Sequence, residues 1–134
     1  MVAYNFQGRF AEAIEQGEKR QTVRAIGKRH HASPGDDLQL YIGMRTKSCR
    51  KVREAKCNDV CQITIYEDKI LTFNPQEIHL GDDLEHFARR DGFASWSEMR
   101  DWFAKIHGLP FTGVLIRWLI PKTTGETPVP PEGA

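Results

Sequence analysis

The residues able to do chemistry crowd into one segment of this sequence. Between Lys19 and Lys56 stand 11 Lys and Arg side chains against the acids Asp36, Asp37 and Glu54, a local charge of +8 in a chain of formal net charge +1. The remainder therefore carries −7. Cations so placed neutralise phosphates by counterion release, a salt-sensitive and sequence-independent way of holding nucleic acid. In an extended segment alternate side chains share a face, so Lys47, Cys49, Lys51 and Arg53 are expected opposite Arg50, Val52 and Glu54. Arg24, Arg45, Lys47, Arg50 and Lys51 are the candidate phosphate-holding residues, and Tyr41 or Phe73 could stack on an unpaired base. The competing reading of the same segment is a solvated charged surface. A metal-free ribonuclease would need Lys or His groups to shuttle protons and Arg to stabilise the phosphorane; Tyr41, Lys47, Arg50 and His30 are the residues of that kind.

Cys49, Cys57 and Cys61 are odd in number, poor material for a disulfide framework, and are expected as reduced thiols. His30, His31, His79, His86 and His107 could complete a metal site, but the C-x7-C-x3-C spacing lacks the tight C-x2-C knuckle that zinc favours. Neither a metal nor a cofactor is expected.

Positioning these residues requires a sheet. Arg9–Gln16 reads as a short helix stopped by Gly17, followed by a strand at Thr22–Arg24 and a loop at Gly27–Ser33. Pro34-Gly35-Asp36 is a turn signal before the alternating strand Leu38–Tyr41. Further strands are predicted at Ser48–Lys56, Cys61–Tyr66 and Ile70–Phe73. Asp82 or Asp83 would cap a helix running to Arg90 and ending at Gly92. Ser95-Trp96-Ser97-Glu98 is a capping box; the helix after it puts Trp96, Met99, Phe103 and Ile106 on one core-facing stripe, to be ended by Gly108. Val114–Trp118 reads as a buried central strand, and Trp96, Trp102 and Trp118 are expected in the core.

One domain over residues 1–121 is expected, with 122–134, which holds three of the seven prolines, as a disordered tail. Arg117 interrupts the longest apolar stretch, so no membrane span is predicted. The first residues lack a secretory leader, and a cytoplasmic location is expected.

Four segments taken in order carry a resemblance: Gly17-x-Lys19-x-x-Thr22-x-Arg24; Pro34-Gly35-Asp36-x-Leu38-x-Leu40-Tyr41; Arg90-Asp91-Gly92-Phe93 before a helix; and Pro110-Phe111-x-Gly113-x-Leu115-Ile116-x-Trp118. Together the sequence resembles the ASCH domain family over about residues 6–120. The resemblance implies an α+β fold: a PUA-like β-barrel of five to seven strands flanked by two or three helices, with a cleft beside it. It also implies RNA, a nucleoside or a nucleotide as partner. Members similar to this chain include acetylcytidine amidohydrolases and ribonucleases, and some are carried by phages. In the amidohydrolase branch a lysine, a threonine three residues later and a glutamate form the reactive set. Here those places fall at Lys19, Thr22 and Asp91, an aspartate where the branch has glutamate. The implied roles are Thr22 as nucleophile, Lys19 as base, Asp91 as acid and Arg24 as a substrate contact. For Lys19 and Thr22 to meet, the chain must turn at Arg20-Gln21 before the strand begins.

Overall fold

The computed structural model describes residues 2–28, 30–73 and 76–120. The strands are β1 (Val2–Phe6), β2 (Gln21–Ala25), β3 (Asp37–Ile42), β4 (Arg50–Ile65), β5 (Ile70–Thr72), β6 (Glu77–His79) and β7 (Phe111–Leu119). The helices are α1 (Ala11–Gln16), entered through a 3-10 turn at Gly8–Phe10, α2 (Asp82–Arg90) and α3 (Trp96–Ile106). The predicted tail, 122–134, lies outside the described residues.

All seven strands belong to one mixed sheet, giving the expected α+β architecture. Following the ladders, β1 pairs parallel with β3, β3 antiparallel with β4, β4 with β7, and β7 with β2, while β5 and β6 extend from the far end of β4. Among the described residues no ladder joins β1 to β2, so the ring that a barrel requires is not closed. The two end strands nevertheless meet through side chains. Arg24 Nη2 donates to the Asn5 carbonyl at 2.8 Å, and the Arg24 guanidinium lies over the Tyr4 and Phe6 rings at 5.0 and 4.8 Å.

The two strands predicted at 48–56 and 61–66 are one 16-residue strand, β4. Residues 57–60, left between the two predicted strands, hold a bulge: the register against β7 shifts between Cys57 and Asp59. An extra residue there bends the strand without ending it, so β3 can pair with its first half and β7 with its second. β1, which composition alone did not mark, buries alternate residues Tyr4 and Phe6, and its 4→40 and 6→42 partners carry the same face onto β3.

The helices follow their punctuation. Gly17 ends α1 in the left-handed conformation, φ 81°. Ser95 Oγ accepts from the Glu98 N–H at 3.1 Å, the predicted cap, while the Glu98 carboxylate reaches one residue past the N-cap and accepts from the Ala94 N–H at 2.9 Å. At α2 the cap is Gly81, not Asp82 or Asp83, both of which lie inside the first turn where their charge meets the positive end of the helix. Trp96, Met99 and Phe103 are buried as predicted, but Ile106, the last residue of α3, is 52% exposed. Trp118 is in the core; Trp102 is only half-buried.

Candidate functional site

A cavity of about 290 Å³ occupies the seam where β1 and β2 fail to pair. Its walls come from β1 and the turn after it (Asn5, Phe6, Phe10), from Lys19 and β2 (Thr22, Arg24), from Asp91 and Phe93 after α2, and from Trp102 and His107 of α3 and its cap. The open seam is therefore what makes room for a ligand, and the charged residues of β2 border it.

Lys19 is 2% exposed. Its Nζ donates to the Gln21 carbonyl at 2.8 Å and to the Asp91 carbonyl, and it lies 4.8 Å from the centre of the Phe10 ring and 5.3 Å from that of Phe6. Asp91 is the C-cap of α2, so its carbonyl is one of the helix's orphan acceptors at the negative end of the dipole. A buried ammonium is tolerated there because two carbonyl dipoles replace water. One tetrahedral position on Nζ remains for the cavity Lys19 lines. Burial is the largest influence on its pKa and lowers it to about 8, with Arg24 and Arg9 acting in the same direction and Asp91 opposing them.

The Asp91 carboxyl, 3% exposed, accepts from Gln21 Nε2 at 3.3 Å. Burial raises its pKa, against the pull of Lys19, Gln21 and Arg24. Thr22 Oγ1 accepts from Arg24 Nε at 3.1 Å, an arrangement that favours negative character on the oxygen. Lys19 makes no hydrogen bond to Thr22, and its ammonium makes no ion pair with the Asp91 carboxylate. The close packing depends on Gly92, whose φ is 96°: a Cβ there would stand 2.8 Å from Phe10 Cδ1 and 2.9 Å from Lys19 Cδ.

No family model matches the sequence, and no curated protein matches it. Among solved structures, the crystal structure of ASCH from Zymomonas mobilis matches with a TM-score of 0.53 at 18% identity, covering 87% of this chain. This chain spans 65% of the length of that one. A mutant of the Zymomonas mobilis ASCH protein matches similarly, with a TM-score of 0.52, 16% identity, and coverage of 87% of this chain and 66% of that one. The fold is that of an ASCH domain.

Within this ASCH fold the sequence-predicted residues divide into two groups. Lys19, Thr22, Arg24 and Asp91 are brought to one cavity although Asp91 is distant in the chain. Tyr41, Arg45, Lys47, Arg50, Lys51 and His30 do not line it. Tyr41 is half-buried and donates to Gln39 Oε1 at 3.3 Å, within its own strand. Arg45 and Lys47 lie in the exposed turn between β3 and β4, where Arg45 has φ 67°.

Several cations of the basic segment are engaged by acidic side chains or main-chain carbonyls. Arg50 pairs with Glu15 at 3.7 Å and Arg53 donates to the Glu15 carbonyl at 2.6 Å, so both reach α1 despite their odd separation, which long side chains permit. Lys51 pairs with Glu54 at 2.6 Å and Lys56 with Asp37 at 3.0 Å. The three cysteines are free, and burial pushes the Cys57 and Cys61 thiols up in pKa. No cluster of His, Cys, Asp and Glu among the described residues is arranged to hold a metal, and no described helix is long and apolar enough to cross a membrane.

The sequence reading missed residues in and behind the seam cavity. Gln21, 1% exposed, fixes Asp91 through its side chain and Lys19 through its carbonyl. Trp102 and His107 form an aromatic rim, 6.0 Å apart, and burial lowers the His107 pKa. Asn5 supplies the main-chain acceptor for Arg24. Gln21 beside a buried strand start carried no distinguishing pattern. The i+5 spacing of Trp102 and His107 leaves helical period, so neither followed the stripe.

Proposed function

We propose that the seam cavity binds a nucleoside or nucleotide, either free or as one unpaired base of an RNA. The observation that carries this reading is the meeting of Lys19, Arg24, Asp91 and the rings of Phe6, Phe10, Phe93 and Trp102 on one cavity of about 290 Å³. Aromatic walls suit the faces of a base, and an amine, a guanidinium and a carboxyl suit its polar edge. The volume lies at the low end of the roughly 300–1,000 Å³ of small-molecule sites, which favours one nucleoside over a length of strand. Titration calorimetry with the four ribonucleosides and their monophosphates tests it: binding of at least one, lost in Lys19→Met, is expected. No binding of any of them, or binding unaffected by Lys19→Met, would overturn it.

A second reading, amide hydrolysis of an acylated cytidine, is favoured by the Lys19 pKa of about 8, which leaves roughly a tenth of the side chain as free base at pH 7. In that reading Thr22 Oγ1 attacks the acyl carbon while Lys19 takes its proton. The C–N bond then breaks, the leaving amine is protonated from Asp91 or Lys19, and water releases the acyl group from Thr22. Arg24, already donating to Thr22 Oγ1 at 3.1 Å, would stabilise the attacking oxygen. Acetylcytidine incubated with excess protein should yield cytidine and acetate, and Thr22→Val should abolish the reaction while still binding cytidine. No release of cytidine would dismiss hydrolysis and leave the binding reading intact.

A further inference from the structure

A second concavity, of about 650 Å³, lies between the 3-10 turn with α1 on one side and α2 with the Ala94–Glu98 segment on the other. It adjoins the seam cavity: Phe93 lines both, Asp91 borders the first and Gly92 the second. Its charged lining is uneven. Arg9 pairs with Glu98 at 3.0 Å and packs over the Phe10 and Phe93 rings at 4.9 and 5.1 Å, and Glu98 is further committed to the Ala94 N–H. Arg89 and Arg90, in the last turn of α2, form no ion pair among the described residues; Glu18 is the carboxylate of the lining outside any such pair, and His86 adds an imidazole. Arg90 is exposed, with its guanidinium 5.8 Å from the centre of the Phe87 ring and near Arg117 and Asp83.

We infer that this groove is a phosphate subsite, so that the ligand is a phosphorylated nucleoside or RNA whose base enters the seam cavity while its phosphate meets Arg89 and Arg90 beyond Phe93. Two guanidiniums outside any ion pair among the described residues are chemistry that phosphate oxygens satisfy, because each can donate two parallel N–H bonds. The shared ring of Phe93 places that chemistry next to the base site rather than elsewhere on the surface. Glu18 opposes the anion and sets an upper limit on its affinity. The inference rests on the seam cavity accepting a nucleoside.

The test compares each ribonucleoside with its 5′- and 3′-monophosphates by titration calorimetry at low salt, using the full chain and the Arg89→Gln/Arg90→Gln variant. One monophosphate is expected to bind about tenfold or more tightly than its nucleoside, as one charge-assisted contact implies. That preference should disappear in the double variant while nucleoside affinity stays the same, and Glu18→Gln should widen it. A nucleoside that binds with no phosphate preference, or a preference that survives loss of both arginines, overturns the subsite and leaves the seam reading standing. If neither nucleosides nor monophosphates bind, both fall.

Discussion

The seam cavity and the Arg45–Lys56 strip both hold cations from the same basic segment, yet they treat charge in opposite ways. In the seam, Lys19 and Asp91 are 2% and 3% exposed, each is held by hydrogen bonds, and burial moves both pKa values toward neutrality. In the strip, Arg50, Lys51 and Lys56 stay in water and find carboxylates at Glu15, Glu54 and Asp37. A charge left exposed is neutralised cheaply by water and a nearby acid. One drawn into the protein must be held by fixed dipoles, and becomes reactive as a result. A count of cations along the chain treats both regions alike; burial separates them.

The largest effect that would sharpen this contrast is the pH dependence of stability. The Lys19 pKa falls from 10.5 to about 8 on folding, so between those values the unfolded chain binds a proton that the folded chain has released. The Lys19 contribution to stability therefore rises with pH across that window, by about 3 kcal/mol, and below pH 8 its full penalty remains. Asp91 acts the other way: its folded pKa is raised, so stability falls as pH climbs from its ordinary carboxylate value through the raised one. Cys57 and Cys61, whose folded thiol pKa values are raised from 9.0, lower stability over the same window, so urea unfolding at pH 8 and pH 10.5 should show a change in the natural chain more positive, by about 3 kcal/mol, than in Lys19→Met. An equal change in both would place the titrating group elsewhere. The same comparison on Lys51→Met should leave the change in place, since that ammonium is exposed.

Gly92→Ala should come next. The added methyl would need a left-handed backbone at φ 96° and would press on Phe10 and on the Lys19 stem. Strain and overpacking of this kind cost about 1–3 kcal/mol each. The variant should lose at least about 2 kcal/mol in denaturant unfolding and bind nucleosides poorly even where folded. Gly35→Ala has a comparable φ of 97° but open space around the new methyl, and so measures the backbone share alone. Equal losses in the two variants would mean that Lys19 does not need the close approach.

How much of this was legible in the sequence follows from the range of each interaction. Gly17, the Ser95–Glu98 capping box and the Pro34-Gly35-Asp36 turn act on neighbours within a few residues, and each appears where expected. The bulge at Cys57/Asp59 and the open seam depend on how β4, β7, β1 and β2 meet across the sheet, which no local pattern records. Lys19, Thr22 and Asp91 are marked by the family resemblance; Gln21 and His107 have no motif, and only the folded chain shows Gln21 holding Asp91 and Lys19 and His107 lining the cavity. The ion pair of Arg50 with Glu15 was not legible either, because Glu15 sits in α1, far from β4 in the chain.

The smallest expected effect tests the strip itself. Arg45 and Lys47 make no ion pair among the described residues, whereas Arg50 and Lys51 are each engaged with a glutamate. Each phosphate neutralised on a single strand contributes about −0.7 to the slope of log affinity against log salt. Arg45→Ala/Lys47→Ala should therefore flatten the slope for a single-stranded oligouridine by about 1.4 if both cations reach phosphates. Arg50→Ala/Lys51→Ala should change it by less than half as much, because each partner glutamate must first be released. Neither pair should alter stability by more than about 1 kcal/mol, the usual worth of an exposed ion pair. Equal flattening by the two variants would show that the ion pairs open freely to RNA, and the strip would then rank as a binding face beside the seam.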